Sequence, residues 1–429
     1  MPDSAHDISV DTFDYDLPDD RIARHPAARR DAAKQLRWHG PGRPIEVHEF
    51  QDLPDHLPPG TLLIGNKTRV IHARLFFPLA EGKRAIEIFC LDPLEPADHA
   101  QNLGARTRVQ WTCLIGGNRR WKRGSLSLTV PLSGGTATLE AERSGRSDAT
   151  FTVAFSFISD VPDLTFGEVL EAAGTLPLPP YLGRETEAED EDRYQTVFAQ
   201  VAGSVAAPTA GLHFTPEVMA GLARKDIEWA EVLLHVGAGT FRPVSSPTLG
   251  GHDMHRETFS VSRDFVAKLV AKHLNSGTVV SVGTTTLRCL ESLHCLGADL
   301  LLNRRRVEDR PFAVGQWAFE DREVREMPAT ASLAALLAMM EDQNLKYLNG
   351  HTEILLSPVS GVRTVDGLIT NFHQPKSTLL LLIAAIVSDR WREIYSYALG
   401  HNFRFLSYGD SSLLWRSAGE GLPEEGEEV

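Results

Sequence analysis

Residues 194–214 read YQTVFAQVAGSVAAPTAGLHF, and after a helical-looking run to Asp226 residues 227–244 read IEWAEVLLHVGAGTFRPV. Two short segments, APTAGLHF (207–214) and LHVGAGTF (234–241), share small residues, one histidine and one threonine. Small residues let a ligand approach the backbone, and glycine reaches angles closed to other residues. A histidine beside such a turn is placed for proton transfer near neutral pH. The first segment is followed by Thr215 and Pro216, the signature of a helix start, and the second grows out of an apolar run that reads as a strand. VVSVGTTTLRCLES (279–292) repeats the arrangement: a buried parallel-type strand, Gly283, three threonines and a helix carrying Arg288. Glycine and hydroxyls at the carboxyl end of a strand mark where open α/β sheets bind ligands. GLITNFHQPKSTLLLLIAAIVSD (367–389) gives strand, polar turn and buried helix once more.

Upstream the character differs. Between about 77 and 157 come short alternating runs (AIEIFCL, VQWTCLI, LSLTV, TATLEAE, ATFTVAF) punctuated by Gly-Gly, Pro and Ser-Gly. This pattern predicts a small antiparallel barrel or sandwich. Its connection GGNRRWKRG carries Arg119, Arg120 and Lys122 around Trp121, and residues 99–139 hold no acidic residue. An aromatic among cations is a single-strand RNA device as well as a plain hairpin tip. Ahead of it, NKTRVIHARLF (66–76) places Arg69 and Arg74 about a β-branched strand, and Arg21, Arg24, Arg29 and Arg30 cluster near the start, as a solvated face or a phosphate contact. After it, LPLPPYLGR (176–184) forbids regular structure and is suited to a pocket wall. Residues 296–363 read as an accessory segment.

At 429 residues the chain is long enough for two or three domains. A hydrophobic share of 42% and a charged share of 23% are those of an ordinary soluble protein. The net charge of −14 excludes a generally basic coat, although part of it sits in the tail 420–429, expected to be disordered. Four cysteines without a C-x-x-C pair indicate neither a zinc knuckle nor a disulfide framework, and point to a reducing, cytoplasmic setting. No apolar run reaches membrane length. The chemistry-bearing candidates are His213, His235, His252, His255 and His373, with Arg288 and Asp410 either as partners for a carboxylate and an amine respectively or each paired internally. HDMH (252–255) lacks metal-ligand spacing, so no metal is expected. No dinucleotide, Walker or nucleophile-elbow motif is present. A metal-dependent hydrolase and a non-catalytic RNA-binding module are the competing readings.

The segments DYDLPDDRIARHP, NKTRVIHARLF, LPLPPY, RYQTVFA, GSVAAPTAGLHF, LHVGAGTFRPV, HDMHRE, VGTTTLRCLES, LITNFHQPKSTLLLL and FRFLSYGDSSL together closely resemble the S-adenosylmethionine:tRNA ribosyltransferase-isomerase family of queuosine biosynthesis. The resemblance implies a discontinuous α/β domain (1–76 and 158–429) interrupted by a small antiparallel β-barrel domain (77–157). It implies transfer of the ribosyl part of S-adenosylmethionine, a consumed substrate and not a cofactor, to 7-aminomethyl-7-deazaguanine at a tRNA wobble position. On this reading His213, His235 and Asp410 are the catalytic candidates. Thr209, Gly211, Gly237, Gly239, Thr240, Thr284, Arg288, Asn371, His373, Tyr408 and Arg69 bind substrate, Arg288 by clamping the methionine carboxylate. Arg119, Arg120 and Lys122 contact RNA, and the protein acts as a monomer. Lys67 and His72 stand where the family has asparagine and proline, and 295–363 is longer than in typical members.

Overall fold

A computed structural model describes residues 4–79, 83–147, 149–237, 239, 244 and 246–417. Thr240 and the acidic tail 420–429 lie outside the described residues. Two sheets dominate. The larger has ten strands in the order Phe312–Val314, Tyr347–Thr352, Glu257–Ser262, Glu228–His235, Leu62–Asn66, Val279–Val282, Gly367–Asn371, Ser411–Trp415, Lys34–Trp38 and Glu46–Glu49. Its centre is parallel: Glu228–His235 and Val279–Val282 flank Leu62–Asn66, and Gly367–Asn371 pairs with Val279–Val282. Strands buried on both faces carry unbroken apolar runs, and every residue of Leu62–Asn66, Val279–Val282 and Gly367–Asn371 is buried.

Alternation within those runs separates two cores. Leu62, Ile64 and Val279 face one side, with Phe265, Leu287, Leu333 and Leu380 from the covering helices. Leu63, Val280, Val282 and Ile369 face the other, with Phe50, Phe198, Phe214 and Leu222. The helices start where side chains cap them: Thr215 Oγ1 accepts from Val218 N at 3.3 Å, Ser262 Oγ from Phe265 N at 3.1 Å, and Ser377 Oγ from Leu380 N at 3.2 Å.

The second sheet is antiparallel, in the order Gly174–Thr175, Arg74–Phe77, Ile86–Glu95, Arg108–Gly116, Thr150–Ser159, Gly135–Ser147 and Leu126–Leu132. Among the described residues its edge strands do not pair with each other, so the expected barrel is a curled half-barrel. Ala137, Leu139 and Ala141 point into its core beside Trp111 and Phe155, and helix Phe166–Ala173, begun by a Thr165–Glu168 capping box, covers it. A short parallel pair, Thr68–Val70 with Val201–Ser204, lies between the sheets.

The segment 295–363 has a place the sequence did not disclose. Tyr347–Thr352 pairs with Glu257–Ser262 and Phe312–Val314 with Tyr347–Thr352, extending the large sheet at one edge. Among the described residues no helix is long and apolar enough to cross a membrane.

Candidate active site

A cleft partly open to solvent, with about 70 Å³ of room inside it, lies at the carboxyl ends of the central strands. One wall is the step from Val279–Val282 into helix Thr284–Leu301. Gly283 makes the turn with φ +90°, a left-handed backbone that favours glycine. This helix has no side-chain cap at Gly283, and Gly283, Thr284 and Thr285 line the cleft. Uncapped first-turn amides and the dipole of an 18-residue helix favour an anionic group there.

The opposite wall is the turn after Gly367–Asn371. Asn371, His373, Gln374 and Ser377 line it. His373 is held on several sides: its Nε2 lies 3.0 Å from Thr370 Oγ1, its backbone N–H donates to Tyr395 Oη at 3.0 Å, and Tyr15 Oη donates to its carbonyl. Burial lowers its imidazole to about 3, so the ring is neutral at neutral pH. Residues 206–210, including Thr209, form the floor. Tyr181 of the proline loop and Ser407 close it, their hydroxyls 2.5 Å apart.

Of the residues singled out from sequence, Thr209, Thr284, Asn371 and His373 meet in this cleft. His213 and His235 do not line it. His213 lies behind Asn371, whose Nδ2 donates to its Nε2 at 3.2 Å, and borders a smaller hollow with Arg30, Arg193, Arg404 and Tyr408. Burial brings its imidazole down to about 4. His235 sits where the sheets meet, its Nδ1 3.1 Å from Thr68 Oγ1 and its ring stacked at 4.2 Å on His99 from the half-barrel. Burial first, then His99, lowers His235 to about 3, and burial lowers His99 to about 4. A Cβ on Gly203 would come within 2.4 Å of the His235 ring, which explains glycine at that position.

Other expectations change once the contacts are visible. Arg288 is buried and committed to Glu257, with Nε donating to the Ile354 carbonyl at 3.2 Å, so a two-pronged carboxylate clamp is not available from it. Burial alone would raise the Glu257 carboxyl, but Arg288 and His255 hold it below its ordinary value. Asp410 is likewise internal, accepting from the backbone of Lys34 at 3.1 Å and of Arg404 at 2.8 Å. Tyr408 donates to Asp190 at 2.6 Å, and Arg69 pairs with Glu171 at 3.4 Å. Gly211 packs on Phe198 and Thr196, and Gly237 and Gly239 lie under His255; a Cβ on Gly239 would meet that ring at 2.3 Å.

On the half-barrel Arg119, Arg120 and Lys122 are exposed. Trp121 is not the free stacking platform its neighbours suggested: it is 3% exposed, donates to the Gly124 carbonyl at 2.9 Å and lies under Arg143. Near the start, Arg24 pairs with Asp19, Arg29 with Asp31, and Arg30 donates to the Gln195 carbonyl at 2.5 Å. His72 bonds the Glu171 carbonyl at 2.8 Å and Glu191 at 2.7 Å, an anchor proline could not supply, and Lys67 approaches Glu231 at 3.8 Å. Among the described residues no group of three or more His, Cys, Asp or Glu could hold a metal ion.

A wider groove of about 770 Å³ lies at the amino ends of the parallel strands, lined by His39, Arg43, His56, Arg363 and Arg416. Ligands of open α/β sheets sit at the carboxyl ends instead. Sequence reading had no handle on His99, Thr370 or Ser407 individually. Thr285 belongs to the three threonines after Gly283, and Thr370 could have been found by extending the motif that begins at Asn371 by one residue.

Residues 10–414 match the family model described as queuosine biosynthesis protein. A relative from Xanthomonas oryzae pv. oryzae, named S-adenosylmethionine:tRNA ribosyltransferase-isomerase, is 37% identical over 408 residues, covering 95% of this chain and 96% of its own. One of the same name from Aromatoleum aromaticum is 36% identical, covering 95% and 97%. A solved S-adenosylmethionine tRNA ribosyltransferase from Thermotoga maritima aligns at 27% identity over 94% of this chain and 99% of its own, with a TM-score of 0.44. From the family match along the chain and the identity to its curated members, this protein belongs to the queuosine biosynthesis protein family of S-adenosylmethionine:tRNA ribosyltransferase-isomerases.

Proposed function

We propose that the protein transfers and rearranges the ribosyl part of S-adenosylmethionine onto 7-aminomethyl-7-deazaguanine at the wobble position of a tRNA, giving epoxyqueuosine and releasing adenine and methionine. The observation that carries this reading is the cleft at the carboxyl ends of the central strands, where hydroxyls, an amide, an imidazole and an uncapped helix start converge. Thr209, Thr284 and Asn371 hold the nucleoside. The first turn of helix Thr284–Leu301 receives the methionine carboxylate, the task that Arg288, tied to Glu257, is not free to perform.

The positive sulfur acidifies the adjacent 5′ carbon and makes methionine a neutral leaving group, so a positioned base can begin the reaction. His373 is the imidazole that borders the cleft and the candidate base; burial keeps its ring neutral but weakly basic, so proton abstraction there relies on the acidity the sulfonium gives the 5′ carbon. His213 and His235 act from behind, the first on Asn371 and the second on the joint between the sheets. We further propose a two-domain arrangement, with 77–157 inserted between the halves of an α/β domain. Arg119, Arg120 and Lys122 contact the tRNA, and the enzyme works as a cytoplasmic monomer.

Single-turnover incubation with S-adenosylmethionine and tRNA bearing the aminomethyl base, followed by detection of free adenine, tests this. Adenine is expected with wild type, and His373→Ala should slow its release by about 10²- to 10⁴-fold. Absence of adenine with wild type would reject the reaction. An unimpaired His373→Ala would reject the assignment of the base.

A further inference from the structure

We propose that His213 is a positioning residue that holds the Asn371 side chain with its carbonyl oxygen toward the cleft, as the acceptor for an N–H group of the substrate. The inference rests on the reading of the cleft given above and deepens it. Asn371 closes strand Gly367–Asn371, is 1% exposed and lines the cleft. Its Nδ2 donates to His213 Nε2 at 3.2 Å. Its Oδ1 is buried and has no hydrogen-bond partner among the described residues.

A side-chain amide can be turned end for end at little steric cost, so its orientation is decided by what faces it from the protein side. The approach of Asn371 Nδ2 to His213 Nε2 fits the neutral tautomer with its proton on Nδ1, which leaves Nε2 a lone pair, and a lone pair accepts only a donor. Phe50 packs on the ring at 5.1 Å and helps fix its plane. The NH₂ end of Asn371 is therefore drawn inward, and the oxygen is left to the cleft.

The oxygen is selective because the groups around it are not. The hydroxyls of Thr209 and Thr284 donate and accept alike, and the helix start donates, whereas Asn371 Oδ1 only accepts. A ligand with an N–H at this point pairs it. A ligand with an oxygen there leaves two acceptors facing each other in a buried setting, which is where hydrogen-bonding sites discriminate most. Three substrate N–H groups can be altered without touching the Watson–Crick edge of the tRNA base: the exocyclic amine of adenine, the ammonium of the methionine part, and the aminomethyl group of the tRNA base.

The test is titration calorimetry on the intact protein with matched pairs. S-adenosylhomocysteine is compared with S-inosylhomocysteine, in which an oxygen replaces the adenine amine, and with its des-amino analogue. tRNA carrying the aminomethyl base is compared with tRNA carrying a methyl in its place. Wild type should lose about 10- to 100-fold in affinity for one of the three altered ligands. Asn371→Leu should erase that preference. His213→Phe should narrow it at least fivefold without lining the cleft, and His213→Gln, whose carbonyl can accept from Asn371, should restore it. Asn371→Asp combined with His213→Phe, with oxygen at both ends of the side chain, should keep it. A wild type that releases adenine but distinguishes none of the pairs overturns this inference alone. A preference that survives His213→Phe in full, in folded protein, overturns the positioning role. A wild type that binds no S-adenosylhomocysteine overturns the reading of the cleft and this inference with it.

Discussion

Lowering the pH should unfold this protein through its histidines before its carboxylates are titrated. Among the described residues five imidazoles are buried: His294, at 0% exposed and also lowered by burial, and the four with the largest shifts, His99, His213, His235 and His373, each between 4% and 9% exposed. Burial is the first cause of every shift, and it brings His99 and His213 to about 4 and His235 and His373 to about 3. In the unfolded chain the same groups titrate near about 6.5. Below that value the unfolded state takes up protons that the folded state refuses until about pH 4. Stability is therefore full above about pH 6.5 and falls as the pH drops toward 4. Each group contributes a slope of about 1.4 kcal/mol per pH unit, so four give about 5 kcal/mol per unit near pH 5. Against a total stability of about 5–15 kcal/mol, a fall of one to two pH units below 6.5 removes most of it.

Urea melts followed by circular dichroism at pH 7.5, 6.5, 5.5 and 5.0 read the slope. Unfolding enthalpies in buffers of different ionisation heat count the protons taken up. At least four protons are expected at pH 5, and the imidazole Cε1–H resonances of His99, His213, His235 and His373 should not titrate above that pH. Uptake of one proton or fewer, or stability flat from pH 7 to 5, would refute the argument from burial.

Arg288→Met should destabilise the fold by about 3–5 kcal/mol because it leaves Glu257 buried without its partner, and adding Glu257→Gln should recover much of that loss. Urea melts measure both, and a variant of unchanged stability that no longer bound S-adenosylmethionine would return Arg288 to the substrate. Charge reversal at Arg119, Arg120 and Lys122 should weaken tRNA binding and flatten its dependence on salt by about one unit of slope per lost contact. An unchanged slope would remove this surface from the interface.

Patterns within a short window were legible in the sequence, and partners brought together from far along the chain were not. The valine-rich run at 279–282, interrupted only by Ser281 and followed by glycine and threonines, announces a buried strand and the helix after it, because both lie within fourteen residues. Thr215 before Pro216 announces its helix in the same way. The half-barrel followed from alternation, as in Ala137, Leu139 and Ala141. Whether its edges close depends on how seven strands pair, which no single strand encodes.

The site divides along the same line. Thr209, Thr284, Asn371 and His373 were recognisable because each stands at the end of a strand or in the turn beyond one. That His213 and His235 face away from the cleft follows from Asn371 and from His99, which come from other parts of the chain. Arg288 looks free in the sequence, and its partner Glu257 lies on a strand 31 residues earlier. Trp121 looks exposed among cations until Arg143 of a later strand is laid over it. Outside the Ala/Leu-rich helix Ala329–Asp342, which the sequence shows, segment 295–363 has little pattern of its own because edge strands Phe312–Val314 and Tyr347–Thr352 take their form from their neighbours.

The most direct test of the central claim is an experimental structure of the protein with S-adenosylhomocysteine bound. The account predicts the nucleoside between Thr209, Thr284 and His373, with the amino-acid carboxylate at the first turn of helix Thr284–Leu301. A ligand found instead in the groove lined by His39, Arg43 and Arg416, or beside His235 at the joint of the two sheets, would contradict it.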